Sequence, residues 1–409
     1  MNFTSPRAAF FVVLVFYSIF QVYLFGRFRA YVYGKIRNPR RAKIYSGAGF
    51  FFFVLMFFPF AWIALFGLLP REPYPWPIRQ DLLLLAIWAC GSTGCALVLL
   101  SYNVIQRGLR MLPRPPKVVD VQRRQFLKIG ASAVAAAPFI LSGYGTLVGR
   151  RRFEVEYFSV PVNGLSGALA QFTVVQLTDI HLGPFMPPAE LAEYVDAVNR
   201  LRPDLIALTG DFVASDPGEA EPCAETLAGL KARYGVYACL GNHDVYADIQ
   251  DELTSLFAAR GIRMLRNDAV AHRIHDTTVN VLGIDDLKSG APNLPRAVKA
   301  AAKDPGEVRV LLSHRPEIFP VAARSGIEVI LSGHYHGGQV KLGPESANLS
   351  IARLITPYSE GLYRLPRRQI NSRSAKDSLL FVGRGIGITG LPIRINCPPQ
   401  IAHLTLKKA

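Results

Sequence analysis

The chain has 409 residues, a formal net charge of +16 and 50% hydrophobic residues, long enough for more than one domain. The charge is unevenly placed: residues 1–150 hold 18 Lys and Arg against only Glu72, Asp81 and Asp120, whereas the remainder carries 28 against 27. A near-neutral second part lacks the basic surface that nucleic-acid binding requires, so nucleic acid is excluded as an expected partner.

Crossing the hydrocarbon core takes about 20 mostly apolar residues in a helix. Residues 8–25, 47–69 and 82–104 qualify, and none of these runs holds a charged side chain. A fourth run, 129–148, is rich in Ala and Gly. It follows Arg123-Arg124-Gln125-Phe126-Leu127-Lys128, which resembles the twin-arginine export motif; an ordinary basic flank is the alternative reading. Seven Lys and Arg fall in 27–43, seven in 107–128 and two in 70–80. Cytoplasmic loops retain positive charge, so the expected topology is multi-pass, with both basic segments inside and the N-terminus and residues 151–409 outside. In a bacterium this places residues 151–409 beyond the inner or cell membrane. No cleavable leader is expected, because the first apolar run leads into further spans. With no ionisable residue inside the spans, anchoring is their expected role; lateral access to a lipid substrate is the sharper one. Cys90 and Cys95 lie in the third span and Cys223, Cys239 and Cys397 beyond it, a pattern that indicates no disulfide framework.

From residue 151 onward, short β-rich runs alternate with amphipathic helical patterns, as in a layered α/β domain. Strands are predicted at 172–177, 205–209, 236–240, 278–283, 308–313, 329–332, 378–382 and 401–406, and helices at 188–200, 221–233 and 249–260. Polar residues follow the strand ends: Asp179 and His181, Gly210-Asp211, Gly241-Asn242-His243, His314, then His334 and His336. Loops beyond the carboxyl ends of strands are where ligand-binding groups converge in α/β sheets. Mixed imidazole and carboxylate donors suit two divalent cations such as Mn, Fe or Zn, and a carboxylate such as Asp211 can offer one oxygen to each.

Asp179-Ile180-His181, Gly210-Asp211, Gly241-Asn242-His243-Asp244, His314 and Gly333-His334-Tyr335-His336 resemble, in order, the signature of the calcineurin-like metallophosphoesterases. The resemblance implies a four-layer α/β/β/α sandwich with two mixed sheets over 151–409. It implies that Asp179, His181 and His336 hold one metal and Asn242, His314 and His334 the other, with Asp211 bridging and His243 facing the substrate phosphate. Gly337-Gly338-Gln339 and Gly383-Arg384-Gly385-Ile386-Gly387, leading to Leu391-Pro392-Ile393-Arg394, resemble a membrane-linked or twin-arginine-exported bacterial branch. Tyr335 departs from the Thr common between the paired histidines, which touches only the local shape of the pocket.

The expected function is therefore a membrane-anchored phosphoesterase with two divalent metal ions. It would hydrolyse a phosphodiester, with a lipid-linked ester as the sharper choice, by attack of a metal-bound hydroxide, and His243 would stabilise the transition state or protonate the leaving oxygen. A UDP-diacylglucosamine-type pyrophosphatase and a weakly catalytic membrane sensor are the alternatives. Arg384 is either a phosphate contact or a solvated loop residue. Asp244 either supports His243 or opens a helix, and Asp285 and Asp286 read as turn residues. The basic run 364–368 reads as a solvated face that could meet anionic head groups. Outside the motifs, His272, His275 and His403 read as structural.

Overall fold

The computed structural model describes residues 6–66, 76–111, 121–304, 306–343, 349–370 and 377–409. The chain divides into two compact units, 1–147 and 148–409.

The first unit contains α1 (Pro6–Lys35), α2 (Pro39–Phe66), α3 (Trp76–Arg110) and α4 (Val121–Tyr144), the last followed by a π-helical turn at Gly145–Gly149. Stretches of all four are long and apolar enough to cross a membrane: Val12–Lys35, Pro39–Phe60, Leu82–Arg110 and Ile129–Gly149. The first basic segment differs from the loop expected at 27–43. α1 continues to Lys35 and α2 begins at Pro39, because Arg and Lys are good helix formers and a span can extend beyond the hydrocarbon. Asn38 accepts the backbone N–H groups of Arg40 and Arg41 at 3.0 and 3.2 Å and caps the second helix. Residues 67–75, which cover the end of the expected span 47–69 and part of the loop expected at 70–80, and residues 112–120, within the basic segment 107–128, lie outside the described residues, as do the side chains of Arg123, Arg124 and Lys128.

The second unit is built on two six-stranded sheets. The first runs in the order β1 (Glu154–Val162), β14 (Gln400–Lys408), β2 (Thr173–Leu177), β3 (Leu205–Thr209), β4 (Val236–Cys239) and β5 (Ile262–Met264). The second runs β12 (Gly361–Leu365), β13 (Ser378–Val382), β9 (Val329–Ser332), β8 (Val308–Leu312), β7 (Thr277–Gly283) and β6 (Asp268–Ile274). Both are mixed: β14 runs antiparallel to β2, and β12 and β6 run antiparallel to their neighbours. A two-stranded pair, β10 (Lys341–Leu342) and β11 (Leu349–Ser350), stands apart from them.

Why the strands are near-continuous apolar runs follows from burial on both faces. Val174, Leu205, Ala207, Val310, Leu312, Leu331 and Phe381 share one core between the sheets. Their alternating neighbours Val175, Leu177, Ile206 and Leu208 meet α5 (Pro188–Arg200), α6 (Ala220–Leu227) and α8 (Gln250–Ala259). Leu311, Ile330, Leu380 and Val382 meet α9 (Leu294–Ala300) and α10 (Phe319–Arg324). The result is a four-layer α/β/β/α sandwich. The helix expected at 221–233 is shorter, ending at Leu227 just before Gly229. Two short helices, α7 (Asn242–Tyr246) and α11 (Ile351–Ile355), complete the unit.

Candidate metal centre

Five strands, β2, β3, β4, β8 and β9, end at one place. Immediately after them the backbone turns sharply, and Asp179, His181, Asp211, His334 and His336 all have φ between +46° and +77°. Left-handed backbone is costly for residues with a Cβ and persists where the surroundings over-determine it, typically at functional sites. Here the surroundings are cross-strand hydrogen bonds: Asp179 N–H donates to Gly210 O at 3.0 Å, His181 N–H to Asp211 O at 2.9 Å, and Gly333 N–H to His314 O at 3.0 Å. Close approach also dictates glycine. A Cβ on Gly210 would lie 2.6 Å from the Gly241 nitrogen, and one on Gly385 would lie 2.7 Å from the Asp179 Cβ, so both positions exclude a side chain.

The turns bring the donors together in overlapping groups: Asp179, His181 and His336; Asp211, His314 and His334; and His181, Asp211 and His243. Asp211 is common to two of these. Its Oδ2 lies 3.5 Å from His181 Nε2 and 3.1 Å from His314 Nε2, while its Oδ1 accepts the His243 N–H at 2.8 Å. The Nε2 atoms of His181 and His336 face each other at 3.1 Å, and His336 Nε2 is 3.3 Å from Asp179 Oδ1. Asn242 opens α7 with its side-chain oxygen buried and without a hydrogen-bond partner.

Outer groups fix these donors. His314 Nδ1 donates to Thr209 O at 2.8 Å, which turns Nε2 toward Asp211. His243 Nδ1 donates to Ala214 O at 2.6 Å, leaving Nε2 free. Asp244 has a different task from the support of His243 weighed above: its fully buried carboxylate accepts backbone N–H groups of Asp211, Phe212 and Gly241 at 3.0, 2.8 and 2.8 Å, and so holds the Asp211 turn. Asp179 receives the His334 N–H at 2.9 Å.

Two arginines that sequence reasoning did not place at the centre belong to it. Arg394, fully buried, donates to the carbonyls of Gly387, Arg384, Gly385 and Cys397 at 2.6, 2.9, 3.1 and 3.1 Å. It thereby pins the loop whose Gly387 N–H donates to Asp179 O at 2.7 Å. Arg315 donates from Nε to Asp286 at 2.8 Å and from Nη1 to His334 Nε2 at 2.5 Å. Asp286 is thus buried and an arginine partner as well as a turn residue, since it also accepts from Ser289 N–H at 2.9 Å. Arg384, by contrast, is engaged elsewhere: its guanidinium is buried against Glu156, with Glu154 at 3.7 Å. That pairing offsets its charge. The Tyr335 hydroxyl donates to Glu317. Away from the centre, His272 Nε2 and the Tyr237 hydroxyl are 2.5 Å apart.

Electrostatics match the donor geometry. Burial pushes His181 down to about 3 and His334 down to about 2, and pushes His336 well below its ordinary value. His181 and His336 are therefore neutral near pH 7 and keep a lone pair for a cation, whereas the His334 lone pair at Nε2 accepts from Arg315 and would have to exchange that contact for a cation. Burial raises Asp179 to about 6. For His314 burial acts downward, but Asp211 beside it outweighs that and carries the ring to about 10, while Asp211 is held well below the usual carboxylate range. A proton between this pair is what a divalent cation would displace. The orphaned Asn242 oxygen, the facing imidazole nitrogens and the doubly shared carboxylate fit two adjacent divalent cations with mixed nitrogen and oxygen donors.

Comparison with known proteins agrees with this site. Residues 172–338 match the family model described as calcineurin-like phosphoesterase. A Danio rerio transmembrane protein with metallophosphoesterase domain is 31% identical over 282 residues, covering 66% of this chain and 61% of that protein. The Bacillus subtilis metallophosphoesterase YkuE is 28% identical over 301 residues, 70% of this chain and 98% of its own. The Campylobacter jejuni metallophosphoesterase Cj0846 is 24% identical over 403 residues, 97% of this chain and 99% of its own. The chain spans 61% of the length of the Danio rerio and Bos taurus relatives.

Proposed function

Since the chain belongs to the calcineurin-like phosphoesterase family, we propose that it is a membrane-anchored hydrolase that cleaves a phosphodiester outside the cytoplasm at a centre of two divalent cations. The observation that carries this reading is the position of the Asp211 carboxylate, with one oxygen within 3.5 Å of both His181 Nε2 and His314 Nε2. Asp179, His181 and His336 would hold one cation and Asn242, His314 and His334 the other, with Asp211 shared. Bound cations lower the pKa of water and offset charge on phosphoryl oxygens.

The chain's own residues account for the remaining steps. Water attacks phosphorus in line with the leaving oxygen. His243, oriented through Nδ1 by Ala214, presents Nε2 to the phosphate, where it would pass a proton to the leaving oxygen as the P–O bond breaks, and the proton released by the attacking water would restore it. Arg315 holds the His334 ring in place, and Arg394 and Asp244 hold the two turns that present Asp179 and Asp211. Four membrane-length helices supply the anchor, and the Lys and Arg placed at 27–43 and 107–128 support an outside catalytic domain.

The test is hydrolysis of bis-p-nitrophenyl phosphate beside p-nitrophenyl phosphate by the full chain in detergent, loaded with Mn and compared with Asp211→Asn. Faster turnover of the diester, abolished in the variant, is the expected result. Turnover indifferent to both metal and Asp211 overturns the reaction class, and faster turnover of the monoester overturns the diester assignment. Reporter fusions after residue 150 that are active only in the cytoplasm would overturn the topology.

A further inference from the structure

Large hydrophobic side chains of the second unit are exposed at few places among the described residues, and they are concentrated. Leu342, Leu349, Ile351, Leu354 and Ile355 are all more than half exposed, with Leu354 at 87%. Their arrangement is regular. Leu342 and Leu349 are register partners in the β10–β11 pair, so their side chains stand on the same face. Ile351, Leu354 and Ile355 fall at positions i, i+3 and i+4 of α11 and form one stripe, whereas Ala352 between them is buried. Ser350 caps this helix by accepting the Arg353 N–H at 3.4 Å.

The other side of the shelf rests on the metal centre. A Cβ on Gly338 would meet the Ser350 and Ala352 Cβ atoms at 2.6 and 3.3 Å, and Gly338 lies two residues after His336 in the turn at His336–Gly338. The shelf's scaffold is thus packed on the loop that carries one of the proposed ligands. Exposed Arg353, Arg367 and Arg368 follow on the same stretch of chain, where they suit anionic head groups. The tether is short: the fourth membrane-length helix runs to Gly149 and β1 begins at Glu154. Four intervening residues reach only about 14 Å when extended. An apolar face with a cation on its own helix, in a domain that follows a membrane-length helix so closely in the chain, has the composition of an interfacial binding element.

We propose that the shelf formed by β10, β11 and α11 docks into the outer part of a lipid bilayer and brings the metal centre to phosphate esters carried at the head-group level. The substrate class that follows is a membrane-embedded phosphodiester, and this part rests on the phosphoesterase reading above. Docking itself does not.

The two are separated by a pair of measurements on the full chain in vesicles of phosphatidylethanolamine and phosphatidylglycerol. In the first, Leu354→Trp is compared with the parent and with Val321→Trp, using lipids with and without brominated acyl chains. Emission added by the Leu354→Trp tryptophan is blue-shifted and quenched about twofold or more by bromination, while that from Val321→Trp is not. Water-like, unquenched emission overturns docking. A blue shift insensitive to bromine, accompanied by cross-linking between chains, overturns it in favour of a second copy of the chain.

In the second measurement, the double variant Ile351→Ser, Leu354→Ser loses about tenfold or more of its turnover on vesicle-borne phosphodiester while soluble diester turnover stays within about twofold. Equal loss on both substrates makes the shelf merely structural. Absence of hydrolysis of any phosphodiester by the parent chain, with quenching intact, overturns the enzymatic reading and leaves docking standing.

Discussion

The two halves of the metal centre are held in different ways. Asp179, His181 and His336 are buried and enclosed by loops that Arg394 and the neighbouring glycines fix. On the other side Asn242 and His314 are buried, but His334 is only half-buried; His243, half-buried as well, stands against His181, with the ring centroids 4.6 Å apart. The imidazole of His334 leans on the Arg315 guanidinium. A sealed half can define a cation's position without meeting substrate, whereas the more open half is where a phosphate would arrive. Asp211 belongs to both, so damage there should be felt by each.

The comparison can be broken at its joint and then sharpened on either side. Asp211→Ala removes the shared oxygens, and diester turnover should fall by about a thousandfold or more, the equivalent of about 4 kcal/mol. Rate assays alongside metal analysis check this; two retained metals with near-normal turnover would show that the halves do not share it. Asp244→Ala leaves several buried N–H groups of the Asp211 turn unpaired, at about 1–3 kcal/mol each. A fall in Tm together with weaker metal retention is expected in thermal unfolding. Beside His181, His243→Ala should cost about 100- to 10,000-fold in kcat with both metals retained. Metal loss in that variant would move His243 from the leaving group into the ligand set.

Smaller effects separate the two supporting arginines. Arg394→Lys keeps the charge but cannot serve four carbonyls, and metal affinity should weaken about 10- to 100-fold. Arg315→Lys loses the joint contact to Asp286 and His334, and about a tenfold loss is expected, confined to the cation nearer His334. Titration of the two binding steps by calorimetry distinguishes them. Equal weakening of both steps in both variants would remove the distinction between halves.

Much of the domain was legible in sequence because its central strands are buried on both faces and therefore read as apolar runs. β3 falls at Leu205–Thr209 and α5 at Pro188–Arg200, as the pattern predicts. β1 carries little pattern because its first six residues are exposed or half-buried, only Val160 and Val162 are buried, and Pro161 lies between them, a weak signal for a strand at the sheet edge. β5, with three residues, and β12, half-exposed throughout, carry equally little pattern. At the site, the donors were legible because each follows a strand directly. Arg315 and Arg394 were not: Arg315 reaches Asp286 and His334, which are 29 and 19 residues away, and Arg394 caps carbonyls of an irregular loop around Gly385, which no periodic pattern marks. Nor does sequence tell a phosphate-binding arginine from Arg384, whose partner Glu156 is 228 residues away.

The account's central claim is two cations sharing one carboxylate, and electron paramagnetic resonance of the Mn-loaded full chain tests it without recourse to a substrate. The account predicts the closely spaced hyperfine pattern of an exchange-coupled manganese pair, replaced in Asp211→Asn by a single-ion six-line spectrum. A six-line spectrum in the unaltered chain at saturating Mn would contradict it.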